Sequence, residues 1–96
     1  MVTIWSKSAE KHLQKVYEFI KEDSPQNAIK VRNEIIDFSI KLAENPEVHP
    51  PDKYKQNNDG SCRAFEIFHY RISYRILENE IRIVRFRHTS RSPKTY

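Results

Sequence analysis

The spacing of apolar residues changes once along this chain, and the change falls at one proline-rich break. Up to about Glu44 apolar residues recur every three or four positions, the period of a helix with one buried face; from Arg63 onward they alternate, the period of a half-buried strand. The break between them, residues 45–61 (NPEVHPPDKYKQNNDGS), carries three prolines and few apolar residues, and is expected to form an irregular surface loop of the kind that often has a functional role. Ninety-six residues leave room for one core, so residues 1–96 are read as a single domain.

Within the first block, Val2 to Trp5 reads as a short strand. Ser6 or Ser8 can cap a helix running to about Glu22, which places Ala9, Leu13, Val16, Tyr17 and Ile20 on one face. Asp23-Ser24-Pro25 stops that helix and starts another, with Ser24 as N-cap and Pro25 at a first position that needs no N–H. The second helix is predicted to reach about Glu44. Its apolar surface is broad: Ala28, Val31, Ile35, Phe38 and Leu42 form one stripe, and Ile29, Ile36, Ile40 and Ala43 a neighbouring one. A surface that wide calls for two partners, the first helix and a sheet. Beyond the loop, Arg63–Phe68, Tyr70–Leu77 and Glu80–His88 read as three strands, the last two joined tightly through Glu78-Asn79, and Pro93 is expected to end regular structure. The fold class is therefore α+β: an N-terminal strand, an antiparallel helical hairpin, then a three-stranded antiparallel meander completing one sheet (β-α-α-β-β-β).

Charge is divided as unevenly as periodicity. Residues 1–48 hold seven Lys/Arg against eight Asp/Glu; residues 49–96 hold ten against five, and seven of those ten are arginines. Clustered arginine suits phosphate or carboxylate partners, because its planar fork pairs bidentately. In the middle strand Tyr70, Ile72, Tyr74 and Ile76 belong against the helices, which leaves His69, Arg71, Ser73 and Arg75 on an open face. Strict alternation in the last strand sets Arg82, Val84, Phe86 and His88 on one side and Ile81, Ile83, Arg85 and Arg87 on the other. Apolar residues on both sides suggest a central strand and a second layer over the open face.

Several chemistries are excluded. The lone glycine, Gly60, cannot build a phosphate-cradling loop, and the lone cysteine, Cys62, allows neither an intrachain disulfide nor a Cys-rich zinc site. The four histidines lack metal-ligand spacing and no nucleophilic triad is evident, so neither a cofactor nor a metal is expected. His12 falls on a helix surface and His49 in the loop. His69 and His88 stand among arginines, which should resist their protonation and could leave either as a base near neutral pH. No apolar run has the length of a signal or membrane segment, which points to a cytoplasmic protein.

The order of elements with a basic C-terminal sheet resembles the RelE/ParE superfamily of bacterial type II toxin–antitoxin toxins, over nearly the whole chain. Ala9-Glu10-Lys11-His12-Leu13, Val16-Tyr17-Glu18-Phe19-Ile20 and Asp23-Ser24-Pro25-Gln26-Asn27-Ala28 look like the ParE helical hairpin. Tyr70-Arg71-Ile72-Ser73-Tyr74-Arg75 looks like the strand shared by both branches, and Arg87-His88-Thr89-Ser90-Arg91 resembles the His-x-x-Arg ending of ParE-like members.

The resemblance implies a cognate antitoxin as partner in a toxin–antitoxin hetero-oligomer, and one of two targets. ParE-like toxins poison DNA gyrase. RelE-like toxins are mRNA interferases, endoribonucleases that cut mRNA on the ribosome with basic residues that stabilise the developing phosphorane-like charge. The nuclease pattern would assign Arg71, Arg91 and Tyr96, with Glu66 or His88 as base, but its strand lysines are replaced by Ala64 and Glu66. That departure and the N-terminal half favour the ParE-like branch; an inactive antitoxin-binding relative is a third possibility. In each case Arg63, Arg75, Arg85 and Arg87 are candidates for binding the carboxylates of an antitoxin tail or the target.

Overall fold

The computed structural model describes residues 1–91 and 94–96, so the expected stop at Pro93 lies outside the described residues. The chain runs β1 (Val2–Trp5), α1 (Lys7–Asp23), α2 (Pro25–Lys41), a 3-10 turn (Leu42–Glu44), β2 (Cys62–Ile67), β3 (Tyr70–Ile76) and β4 (Glu80–His88). Both helix starts follow from serine caps: Ser6 Oγ accepts from the Ala9 N–H at 3.1 Å and Ser24 Oγ from the Asn27 N–H at 3.2 Å. The Ser24 N–H also closes α1 by donating to the Ile20 carbonyl, so one residue ends the first helix and begins the second.

The four strands form one sheet in the order β1-β4-β3-β2, with β1 parallel to β4 and the other pairs antiparallel. Both helices lie on one face. Ala9 and Leu13 of α1 and Val31 and Ile35 of α2 are buried with Phe65, Ile72, Tyr74, Ile81, Ile83 and Phe86 of the sheet. Of the two apolar stripes predicted for α2, the first is mostly buried. The second is used only in part: Ile36 and Ala43 pack against the core, whereas Ile29 and Ile40 are exposed. Trp5 Nε1 and Thr3 Oγ1 both donate to Ser39, to its hydroxyl and its carbonyl, tying β1 to α2.

β4 is central, as expected, but the alternation predicted for it is wrong. The ladder pairs Tyr74 with Ile83 and then Ser73 with Arg85, which leaves Val84 unpaired as a bulge. One extra residue flips the parity of everything after it. Ile81 and Ile83 face the helices before the bulge, and Phe86 and His88 face them after it; Arg85 and Arg87 share the open face with Arg82. A second correction concerns His69. It belongs to the two-residue turn Phe68-His69, both residues at positive φ (53° and 67°), and so leaves the open face predicted for it.

The 45–61 loop passes from one face of the sheet to the other around β2. On the helix side the Tyr74 hydroxyl donates to the Pro46 carbonyl at 2.7 Å, and the His49 ring stacks on Phe65 with centroids 5.1 Å apart. At the edge Pro51 bridges to Arg63, and on the open face Asp52 and Tyr54 come to rest over β3.

Candidate functional site: the open face of the sheet

Register sets out the open face as three rows. Glu66, Arg71 and Arg87 form one; Ala64, Ser73 and Arg85 the next; Cys62, Arg75 and Arg82 the third. Over the middle row sits Asp52, only 2% exposed. Its carboxylate accepts from Arg71 Nη2 at 2.9 Å, Ser73 Oγ at 2.9 Å, the Tyr96 hydroxyl at 2.7 Å and the Tyr54 N–H at 3.1 Å. Burial by itself would raise the Asp52 carboxyl, but the bonds from Tyr96, Arg71, the Tyr54 N–H and Ser73 outweigh it and hold the group below its ordinary value.

Tyr96 reaches this point because its backbone pairs with the loop: its N–H donates to the Tyr54 carbonyl at 2.9 Å and its carbonyl accepts from the Gln56 N–H at 2.6 Å. Burial, and then donation to Asp52, push its phenol far above the ordinary value. The Arg85 guanidinium lies 4.1 Å from the centroid of the Tyr96 ring and donates to the Lys94 carbonyl at 2.9 Å. Its pKa is lowered, by burial first and by the neighbouring Arg87 second. Arg71 is held between two carboxylates, Asp52 and, at 3.3 Å, Glu66; its Nε is buried with no hydrogen-bond partner among the described residues. Arg71, Ser73, Arg85, Arg87 and Lys94 line a cavity of about 20 Å³, room for about one water.

Of the residues singled out from sequence, Arg71, Glu66, Tyr96, Arg85 and Arg87 come together here. Arg75 shares the face one row away and is exposed. Three others do not join them. Arg63 is on the helix-facing side of β2, where its guanidinium donates to the carbonyls of Gly60, Glu47 and His49 and staples the loop. His88 is carried to the helix side by the bulge, edge-on to Tyr70 at 5.1 Å and bonded to Ser90 through Nδ1, so it is not a base beside the open-face arginines. Arg91 is exposed beyond β4 and has no charged partner among the described residues.

Sequence reading missed Asp52, the residue that organises the site. Its signal is faint: a single acid after two prolines in the Arg-rich half, opening the Asx-type turn Asp52-Lys53-Tyr54. The arrangement presents fixed cations to an anionic partner. Asp52, saturated with donors, and Tyr96, its proton held by that carboxylate, are both poorly placed for proton transfer. Among the described residues no group of three or more His, Cys, Asp or Glu could hold a metal ion, and no helix is long and apolar enough to cross a membrane.

Residues 3–93 match the family described as ParE toxin of type II toxin-antitoxin system, parDE. Among solved structures the chain is similar to one from a chromosomal ParDE TA system of P. aeruginosa, with a TM-score of 0.70 and 19% identity, covering 92% of this chain and 95% of that one. That likeness is one of fold. No curated protein sequence matches.

Proposed function

Because the chain belongs to the ParE toxin family of type II toxin–antitoxin systems, we propose that it acts as a ParE-like toxin that inhibits DNA gyrase and is neutralised by a cognate antitoxin. The observation that carries the binding reading over the enzymatic one is the state of Arg71 and Asp52. Arg71 is clamped by Asp52 and Glu66, while Asp52 already accepts four hydrogen bonds. In the nuclease pattern Arg71 would meet the developing phosphorane, and here its guanidinium is already engaged by two carboxylates. Three other arginines of this face, Arg75, Arg85 and Arg87, have no carboxylate partner among the described residues. An antitoxin segment bearing carboxylates and apolar residues fits that face, and so does an acidic patch on the target.

Supercoiling by purified gyrase, run beside a cell-free translation reaction, tests the reading. The expected result is loss of supercoiling with translation and mRNA intact. Unimpaired gyrase together with codon-specific mRNA cuts, lost in Arg71→Ala or Arg91→Ala, would replace the gyrase reading with the interferase one. If neither target is affected while the antitoxin still binds, the chain is an inactive relative.

A further inference from the structure

The two edges of the sheet end differently. Along β2 the loop closes the edge, with Pro51 bridged to Arg63 and the Asp52 N–H donating to the Cys62 carbonyl at 2.8 Å. Along β1 nothing among the described residues covers it. Edge strands are usually kept apart by charge, proline or a bulge. β1, with the sequence VTIW, has none of these, and Val2 and Ile4 are 59% and 43% exposed.

Backbone direction along β1 is fixed by its bonds to β4. The Val2 N–H reaches the Asn79 carbonyl and the Ser6 N–H the Ile83 carbonyl, so the even-numbered residues turn their backbone groups inward. Thr3 and Trp5 therefore turn theirs to the free edge. Their side chains point to α2 and are bonded to Ser39, whereas those of Val2 and Ile4 stand on the open face.

We propose that this edge pairs with the same edge of a second copy of the chain, antiparallel about a two-fold axis at Thr3, joining two four-stranded sheets into one. The register follows from the directions above. Thr3 meets Thr3 of the second copy as a hydrogen-bonded pair exchanging both N–H···O bonds. Val2 then faces Ile4 of the second copy in the non-hydrogen-bonded positions, where opposed side chains approach most closely. The edge is self-complementary because its two exposed apolar residues are equidistant from Thr3, as an isologous contact requires.

Charge agrees with this register. On the next strand Arg82 lies beside Ile4 and Glu80 beside Val2. Each row across the joined open face reads Arg82, Ile4, then Val2 and Glu80 of the second copy, an apolar centre flanked by opposite charges. Ile40, 58% exposed and next to Ser39 on α2, adds apolar surface on the helix side. A contact built on a four-residue strand falls short of the roughly 1,200 Å² that stable interfaces bury, so the dimer is weak and concentration-dependent. The inference stands apart from the gyrase reading and uses none of its residues.

Sedimentation velocity of the full chain from low-micromolar to sub-millimolar concentration, paired with hydrogen exchange of single amides, tests it. The expected result is a monomer–dimer equilibrium in which the Thr3 and Trp5 amides gain protection only in concentrated samples. Ile4→Lys, a change at an exposed position, is expected to weaken dimerisation by about tenfold or more with the melting temperature unchanged. Val2→Lys gives the same readout if Ile4→Lys does not fold. A chain that stays monomeric throughout, or a dimer that keeps its affinity in both variants, overturns the proposal.

Discussion

Asp52 Oδ1 stands 2.9 Å from Arg71 Nη2, and through this contact the loop that crosses the β2 edge is fixed to the middle of the sheet. The carboxylate is 2% exposed and the arginine stacks above the Tyr54 ring at 4.9 Å, so the pair is shielded from the screening that makes surface pairs weak. What the loop lacks in apolar content it regains by satisfying one buried acid.

Asp52→Ala is expected to be the most destabilising single change on the open face. It strands the Arg71 guanidinium, the Ser73 hydroxyl and the Tyr96 phenol without their shared acceptor, and breaking a buried pair in this way costs about 3–5 kcal/mol. Urea unfolding measures the loss. Asp52→Asn, which keeps the shape and two acceptor lone pairs, should lose less.

Acid should destabilise the fold in two stages. Burial lowers the His49 pKa from its ordinary 6.5, so the unfolded chain takes up this proton first and stability falls as pH drops below about that value. Asp52 is depressed below 3.8, so its contribution is complete above that pH and is lost as pH falls through the lower, folded value. Denaturation midpoints measured against pH should show both slopes, with His49→Phe removing the upper and Asp52→Asn the lower.

Tyr96→Phe separates the two roles of its ring. The stack against Arg85 survives, while the bond to Asp52 is lost at a cost of about 1.5–3 kcal/mol, the range for a hydrogen bond to a charged group. Faster exchange of the Tyr96 and Gln56 amides, which clasp the tail to the loop, would report the loosening. Unchanged exchange and unchanged stability would mean that the hydroxyl bond contributes nothing.

Antitoxin binding should weaken in Arg85→Ala/Arg87→Ala, and its dependence on salt should become shallower, because fewer cations take part. Titration calorimetry at two ionic strengths reads both effects. Arg63→Ala should act differently: its guanidinium is used up on the Gly60, Glu47 and His49 carbonyls, so the variant should lower the melting temperature and leave the salt slope intact.

Much of the architecture is legible in the sequence because it is local. The Ser6 and Ser24 caps, the stripe from Ala28 to Leu42 and the alternation of Tyr70–Ile76 each depend on residues a few positions apart. The site is less legible because its decisive contacts are long-range. Nothing near Asp52 announces Ser73 or Tyr96, and Arg63 looks like the other arginines until the loop wraps around it. His69 escapes alternation because a turn of Phe and His at positive φ lacks the Asn or Gly that usually marks one. His88 escapes it for a different reason, the bulge at Val84, which a count of alternate residues passes over.

That bulge gives β4 two reading frames. Before Val84 the odd-numbered Ile81 and Ile83 are the conservative ones, held by the core; after it the even-numbered Phe86 is. Substitutions drifting through relatives of this chain should thus follow opposite parities in the two halves of one strand, and a gap of one residue belongs at Val84 when their strands are aligned. Drawing Val84 into regular pairing would exchange the fates of Arg85 and Phe86, turning a cation inward and an aromatic ring out, whereas deleting it would leave both on their present faces. The basic surface and the apolar interior are in this sense inherited together, through the position of one unpaired valine.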